Sequence, residues 1–141
     1  MPTIKTLLLP LLRERFPSAR FDDPDPIVIV AFSGPAELGE LKIWDDGDEV
    51  RVGIGELTHI HITAYESEPY DADLSKEETA KRVAKEVVRF LEDFFAERIV
   101  VWVEPPTRVA TVGPIEAMPE PTADGSVRCY SWKGRLNPKV G

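Results

Sequence analysis

Apolar residues along the chain fall into two helical stripes and a series of short runs, and this pattern sketches the architecture. Ile4, Leu7, Leu8, Leu11, Leu12 and Phe16 recur at helical spacing with Lys5, Arg13 and Glu14 opposite, which predicts an amphipathic N-terminal helix. Pro10 lacks the N–H that a helix interior needs, so a kink or a detached first turn is expected there. The segment PSARFDDPDP that follows is too rich in proline and aspartate to predict regular structure. The second stripe is longer: Ala80, Val83, Ala84, Val87, Val88, Leu91, Phe94 and Phe95 face one way, with Lys81, Arg82, Lys85, Glu86, Arg89, Glu92 and Asp93 opposite. Ser75, with Glu78 three residues on, reads as a capping box that opens this helix, which should run to about Glu97 across the apolar face of a sheet.

The strands show a different period. Ile27 to Phe32 is a short β-branched run of the kind covered on both faces. In LKIWDDGDEVRVGI, Asp46-Gly47 is the strongest hairpin signal of the chain, and a two-residue turn there pairs Ile43 with Val50 and Lys42 with Arg51. Leu41, Ile43, Val50 and Val52 then share one face, and Lys42, Trp44, Glu49 and Arg51 the other. For the next segment, LTHIHITAY, a loop at Gly55-Glu56-Leu57 sets Ile60 against Val52 and Ile62 against Val50, which keeps the aliphatic residues on one side. His59 and His61 then join the polar face, near Gly53 and Arg51. Ile99 to Glu104 reads as a further strand, and Arg108 to Val112 and Ser126 to Lys133 as weaker ones divided by the proline-rich PIEAMPEPTADG. The expected fold is α+β and two-layered: a mostly antiparallel sheet with the long helix of the C-terminal half and the N-terminal helix packed on one face.

At 141 residues the chain fits a single domain, 1–141, able to hide about 68% of its unfolded surface. A lone cysteine, Cys129, forms no internal disulfide, so a cytoplasmic location is the default expectation. Leu7 to Leu12 is too short for a membrane span and lacks a cleavage site, which predicts neither anchor nor signal peptide. A formal charge of -8 repels phosphate backbones and points away from nucleic acid, toward a protein partner of basic or neutral character.

The only two histidines lie one residue apart on a strand, so both can face one metal ion, and zinc would need a third ligand from Cys129, Glu49, Glu56, Asp71 or Asp73. His61-Ile62-Thr63 matches half of the paired HxT signature of two-histidine phosphoesterases, but no second distant histidine exists to serve as the other acid or base. A Cys129–histidine nucleophile pair has no supporting context, and a passive thiol is the expectation. DDGDE fails as a calcium loop, because Lys42 and Trp44 would occupy ligand positions. CYSWKGRLNPK combines Tyr130 and Trp132 with Lys133, Arg135 and Lys139; an edge strand guarded by lysines accounts for it better than a nucleic-acid platform does.

From Val52 to Trp102 the chain runs through a hydrophobic strand, Thr58-His59-Ile60-His61, a tyrosine-containing acidic loop, a capped helix ending FLEDFFAER, and IVVW. This third of the chain resembles small bacterial proteins, some of whose relatives are grouped with immunity proteins of polymorphic toxin systems. It departs from them at Ile60, where glycine or histidine is expected. The resemblance implies a non-catalytic binding protein whose polar sheet face or loops carry the partner contacts, and the acidic surface would suit a cationic toxin. The first expectation is therefore an interaction module, immunity-like or otherwise, using some of Trp44, Arg51, His59, His61, Tyr65 and Tyr70. The competing expectation is a metal-dependent hydrolase built on His59 and His61.

Overall fold

The computed structural model describes residues 3–24, 27–31, 40–106 and 110–138, without the side chains of 29 and 31. The expected strand end Phe32, Arg108 and Lys139 lie outside these residues. In chain order the elements are α1 (Ile4–Arg15), β1 (Arg20–Asp22), β2 (Ile27–Ala31), β3 (Leu41–Asp45), β4 (Val50–Ile54), β5 (Thr58–Ile62), α2 (Lys76–Phe95), β6 (Ile99–Val103), β7 (Thr111–Pro114), a 3₁₀ turn (Ile115–Ala117), β8 (Arg128–Ser131) and β9 (Gly134–Leu136). The fold is α+β. Its described strands divide between two antiparallel sheets: β1-β2-β3-β4-β5, a meander, and β7-β6-β8-β9.

Both sheets turn an apolar face toward the same helix. Ala80, Val83, Ala84, Val87, Phe90, Leu91 and Phe94 form the buried stripe of α2, and one contiguous core joins them to Val28, Val30, Ile43, Val50 and Val52 of the first sheet and Val101, Val103 and Tyr130 of the second. Each fully buried aliphatic or aromatic side chain contributes about 1.5–3 kcal/mol. α1 lies against α2, burying Ile4, Leu8, Leu9 and Leu12, while Leu11 of the expected stripe is exposed. An aromatic series ties the helices to the second sheet: Phe16 meets Phe95 edge-on at 5.0 Å, and Trp132 meets Phe95 at 4.3 Å. The second sheet has a small outer cluster of its own, Val100, Trp102 and Cys129, with Met118 and Val127 packed against it.

Several local expectations change. Pro10 does not split α1, because it sits on the exposed side with Thr6, whose carbonyl loses its helical bond where water can replace it. Thr3 and Thr6 form the capping box there, whereas at α2 Ser75 accepts from the Glu78 N–H at 3.1 Å and the Glu78 carboxylate turns to Lys81. Part of the segment expected to be irregular forms β1, paired with β2. β8 is an inner strand, and the edge role belongs to β9.

The β3–β4 turn slides by one residue. Ile43 pairs with Val52 and Trp44 with Arg51, and Asp46 N–H donates to Glu49 C=O at 3.0 Å, so the hairpin tip is Gly47-Asp48 and not Asp46-Gly47. A tip at Asp46-Gly47 asks for positive φ at both positions, while the observed one needs it only at Gly47, where φ is 99. Asp45 fixes the arrangement: one carboxylate oxygen accepts from Gly47 N–H at 2.9 Å and the other from Lys5 N–H, a first-turn amide of α1, at 3.0 Å. Sliding the tip by one residue changes each pairing by two, which leaves every side chain on its predicted face.

At the end of α2, Arg98 N–H reaches Asp93 C=O and Glu97 N–H reaches Phe94 C=O, a Schellman closure that puts Glu97 at a φ of 61. Glycine is usual there. The glutamate instead reaches the second sheet, where the Ser131 hydroxyl and the Lys133 ammonium at 3.2 Å hold its carboxyl below the usual range against a smaller opposing effect of burial.

Asp45→Ala should lower stability by about 1–2 kcal/mol, since the partly sheltered Lys5 amide and the exposed Gly47 amide both lose their acceptor; chemical denaturation measures it, and an unchanged midpoint would remove the anchoring role. Because the folded pKa of Glu97 lies below its ordinary 4.5, its contribution is complete above that value and is lost as pH falls through the lowered one. Glu97→Gln should therefore flatten the acid side of the stability profile, and Glu97→Gly should regain about 1 kcal/mol of backbone strain relative to Glu97→Ala.

Candidate functional site

The helices cover one face of the first sheet, and the other face carries the candidate residues in two cross-strand rows. Trp44, Arg51 and His61 occupy one row, and Lys42, Gly53 and His59 the next. The β4–β5 register is the expected one, with Val50 opposite Ile62, Val52 opposite Ile60 and Gly53 opposite His59. Both imidazoles are exposed and point away from the helical layer.

Gly53 shapes this surface by having no side chain. A Cβ there would lie 2.8 Å from Cζ3 of Trp44, so the indole leans from its own row across the glycine and fills the vacancy. The Arg51 guanidinium stacks over the same ring at 4.7 Å from its centroid. Its Nε has no hydrogen-bond partner among the described residues and stands 3.7 Å from the Asp46 carboxylate, an ion-pair distance. Beside this cation–aromatic platform an open groove of about 490 Å³ continues over Gly55, Glu56, Leu57 and His59.

His61 faces the hairpin tip. Its Nδ1 is 3.2 Å from Glu49 Oε1, and Asp46, Glu49 and His61 each bring a ligand-type atom within 4.8 Å of the other two, the one such group among the described residues. The His59 ring lies 5.3 Å from that of His61 at a steep angle and is not in the group. Of the third ligands proposed from sequence, Glu49 is in place. Cys129 is fully buried in the second sheet, where its thiol donates to Pro119 C=O at 3.3 Å and burial, followed by the charges of Glu120 and Glu104, pushes its pKa up. Neither a shared metal nor a thiolate–imidazole pair can include it.

Tyr65 and Tyr70 form a pair of their own in the loop after β5, with centroids 5.1 Å apart and Tyr70 74% exposed. Tyr130 is buried and Trp132 packs on Phe94 and Phe95, so neither ring is presented for base stacking.

Sequence reasoning missed two features. Asp46 belongs to the DDGDE turn, which fails as a calcium loop, yet the hairpin returns it beside Glu49 and His61. A second opening, about 510 Å³, lies where Ile60 of β5, Phe90 of α2, Ile99 of β6 and Val112 of β7 converge, with Asp93, Arg98 and Glu116 beside it. It continues past Ile60 and Phe90 toward His61, Glu66 and Glu86. Only the packing of two sheets on one helix creates this cleft, and no local motif announces it. No protein-family model, curated protein or solved structure matches the chain.

Gly53→Ala should displace the Trp44 ring and break its stacking with Arg51 at a cost of no more than about 1 kcal/mol. The difference in indole emission against Trp44→Phe reports it; emission identical to the parent would show that the ring does not rest on the glycine.

Proposed function

We propose that this chain is a non-catalytic protein-interaction module that docks a partner through the helix-free face of its first sheet. The observation that carries the reading is the Trp44–Arg51 stack laid over Gly53, half-buried beside the exposed His59 and His61 and an open groove. Tryptophan, tyrosine and arginine supply most of the energy in protein interfaces, because large semi-rigid surfaces lose little freedom on binding. Tyr65 and Tyr70 extend the same chemistry into the neighbouring loop. The formal charge of -8 favours a basic partner, whose encounter is accelerated by complementary fields. An immunity-like role against a cationic toxin in the cytoplasm is consistent with that charge and with the resemblance of Val52 to Trp102. No described helix is long and apolar enough to cross a membrane.

The test is quantitative capture of the native partner by the parent chain and by Trp44→Ala, Arg51→Ala and His59→Ala. A tenfold or greater loss of affinity is expected for the first two, equivalent to about 1.4 kcal/mol. Undiminished capture by all three would refute the face as the docking surface.

The Asp46–Glu49–His61 group favours a second reading, a metal-dependent hydrolase in which His61 and two carboxylates hold a zinc-like ion. His59 would then stand beside the ion. The Arg51 cation 3.7 Å from Asp46 opposes a second cation there. One equivalent of metal in protein purified without a histidine tag, together with turnover of generic esters that Glu49→Gln abolishes, would establish this reading. Substoichiometric zinc, nickel, iron and manganese would dismiss it.

A further inference from the structure

A sheet edge offers a row of unpaired peptide groups unless something blunts it. The two described sheets have four edges, and three of them are blunted. β1 and β9 are three residues long and carry Arg20, Asp22 and Arg135. β7 ends in Pro114, which has no N–H to offer. β5 is five residues long, contains no proline, lysine or arginine, and among the described residues pairs on one side only.

The ladder identifies which of its peptide groups are open. Gly55 N–H donates to Glu40 C=O and Asp46 N–H to Glu49 C=O, so the odd-numbered residues of β4 face β3 and the even-numbered ones face β5. Carried across the pairs Val50–Ile62, Val52–Ile60 and Ile54–Thr58, this parity makes Thr58, Ile60 and Ile62 the residues bonded to β4. His59 and His61 therefore turn their N–H and C=O groups away from the sheet. The next outward amide, Thr63 N–H, already donates to the Glu66 carboxylate at 3.0 Å, which closes the edge at that end. Among the described residues, only a long 3.5 Å approach from the Thr58 hydroxyl touches the His59 carbonyl.

Beside this edge lies the apolar cleft of Ile60, Phe90, Ile99 and Val112. Its walls and their continuation past His61 carry Glu66, Glu86, Asp93 and Glu116 against Arg89 and Arg98. Arg98 is engaged by Asp93 at 2.8 Å and Arg89 lies 3.7 Å from Glu86, which leaves the rim with an excess of negative charge. We propose that the open edge of β5 accepts an extended basic segment of a partner protein as an added strand, bonded to the peptide groups of His59 and His61. Alternate side chains of that segment would enter the apolar cleft, and the others would emerge beside the two imidazoles, where lysine or arginine meets Glu49. A second copy of this chain is the poorer occupant, since each copy carries a charge of -8 and the same acidic rim. The inference rests on the interaction-module reading and adds how the partner engages.

The test uses the full chain with amide hydrogen exchange read at residues 59 and 61. The probes are a blocked octapeptide of alternating lysine and valine, the same peptide with its edge-facing amides N-methylated, and a glutamate–valine counterpart. The lysine–valine peptide should slow exchange at both amides at least tenfold at saturation, the other two should not, and His61→Pro should remove the protection at residue 59. If His61→Pro does not fold, the N-methylated peptide on the parent chain answers the same question. Unchanged exchange at millimolar peptide, equal protection by the N-methylated or acidic peptides, or protection that grows with protein concentration in the absence of peptide would overturn the proposal. Capture that depends on Trp44 and Arg51 without protection at 59 and 61 overturns strand addition and leaves the face reading intact. Protection by the peptide with capture insensitive to Trp44→Ala and Arg51→Ala upholds strand addition and removes the face reading.

Discussion

One apolar stripe on α2 has to bury the inner faces of two separate sheets, and the remaining features follow from that constraint. A sheet with one apolar face is unstable until that face is covered. Here α2 packs on both, α1 adds cover over β2 of the first sheet, and Phe90, Leu91 and Phe94 share one core with strands of each sheet. Removing the α2 stripe would uncover the second sheet and leave the first resting on α1 alone.

Covering both inner faces with one helix leaves two kinds of surface unfilled. Among the described residues the outer face of the first sheet has no second layer, and it is there that Trp44, Arg51, His59 and His61 stand in cross-strand rows. The outer face of the second sheet is sealed by Met118 and Val127 over Val100, Trp102 and Cys129. Each sheet also sets a tryptophan against a glycine of the adjacent strand, Trp44 on Gly53 and Trp102 on Gly113, but only the first presents its ring on an open face. Where the sheets approach along α2, the edge of β5 borders an apolar cleft with acidic walls. The binding face and the open edge share the same two histidines, through their side chains in one case and their peptide groups in the other.

Much of this was legible in residue order. The β4–β5 register follows from keeping Val50, Val52, Ile60 and Ile62 together, and with it the outward placement of both histidines. The stripe of α2 follows from its period, apart from Phe90, which also enters the core. The β3–β4 tip lies one residue beyond the place that the Asp46-Gly47 dipeptide signals, because Asp45 is committed to the amides of Gly47 and Lys5. The bond to Lys5 spans forty positions and no local pattern contains it.

Residue order alone carries both helices, strands β2 to β6, the inward and outward faces of the first sheet and the exposure of the histidine pair, because these depend on side-chain period within short segments; β1 escapes it. Tertiary structure alone decided that the strands divide into two sheets, that Asp46 and Glu49 return to His61, and that the β5 edge stays open beside a cleft. Those outcomes depend on which distant segments share a helix face, and the free energy of that choice is spread over the whole core.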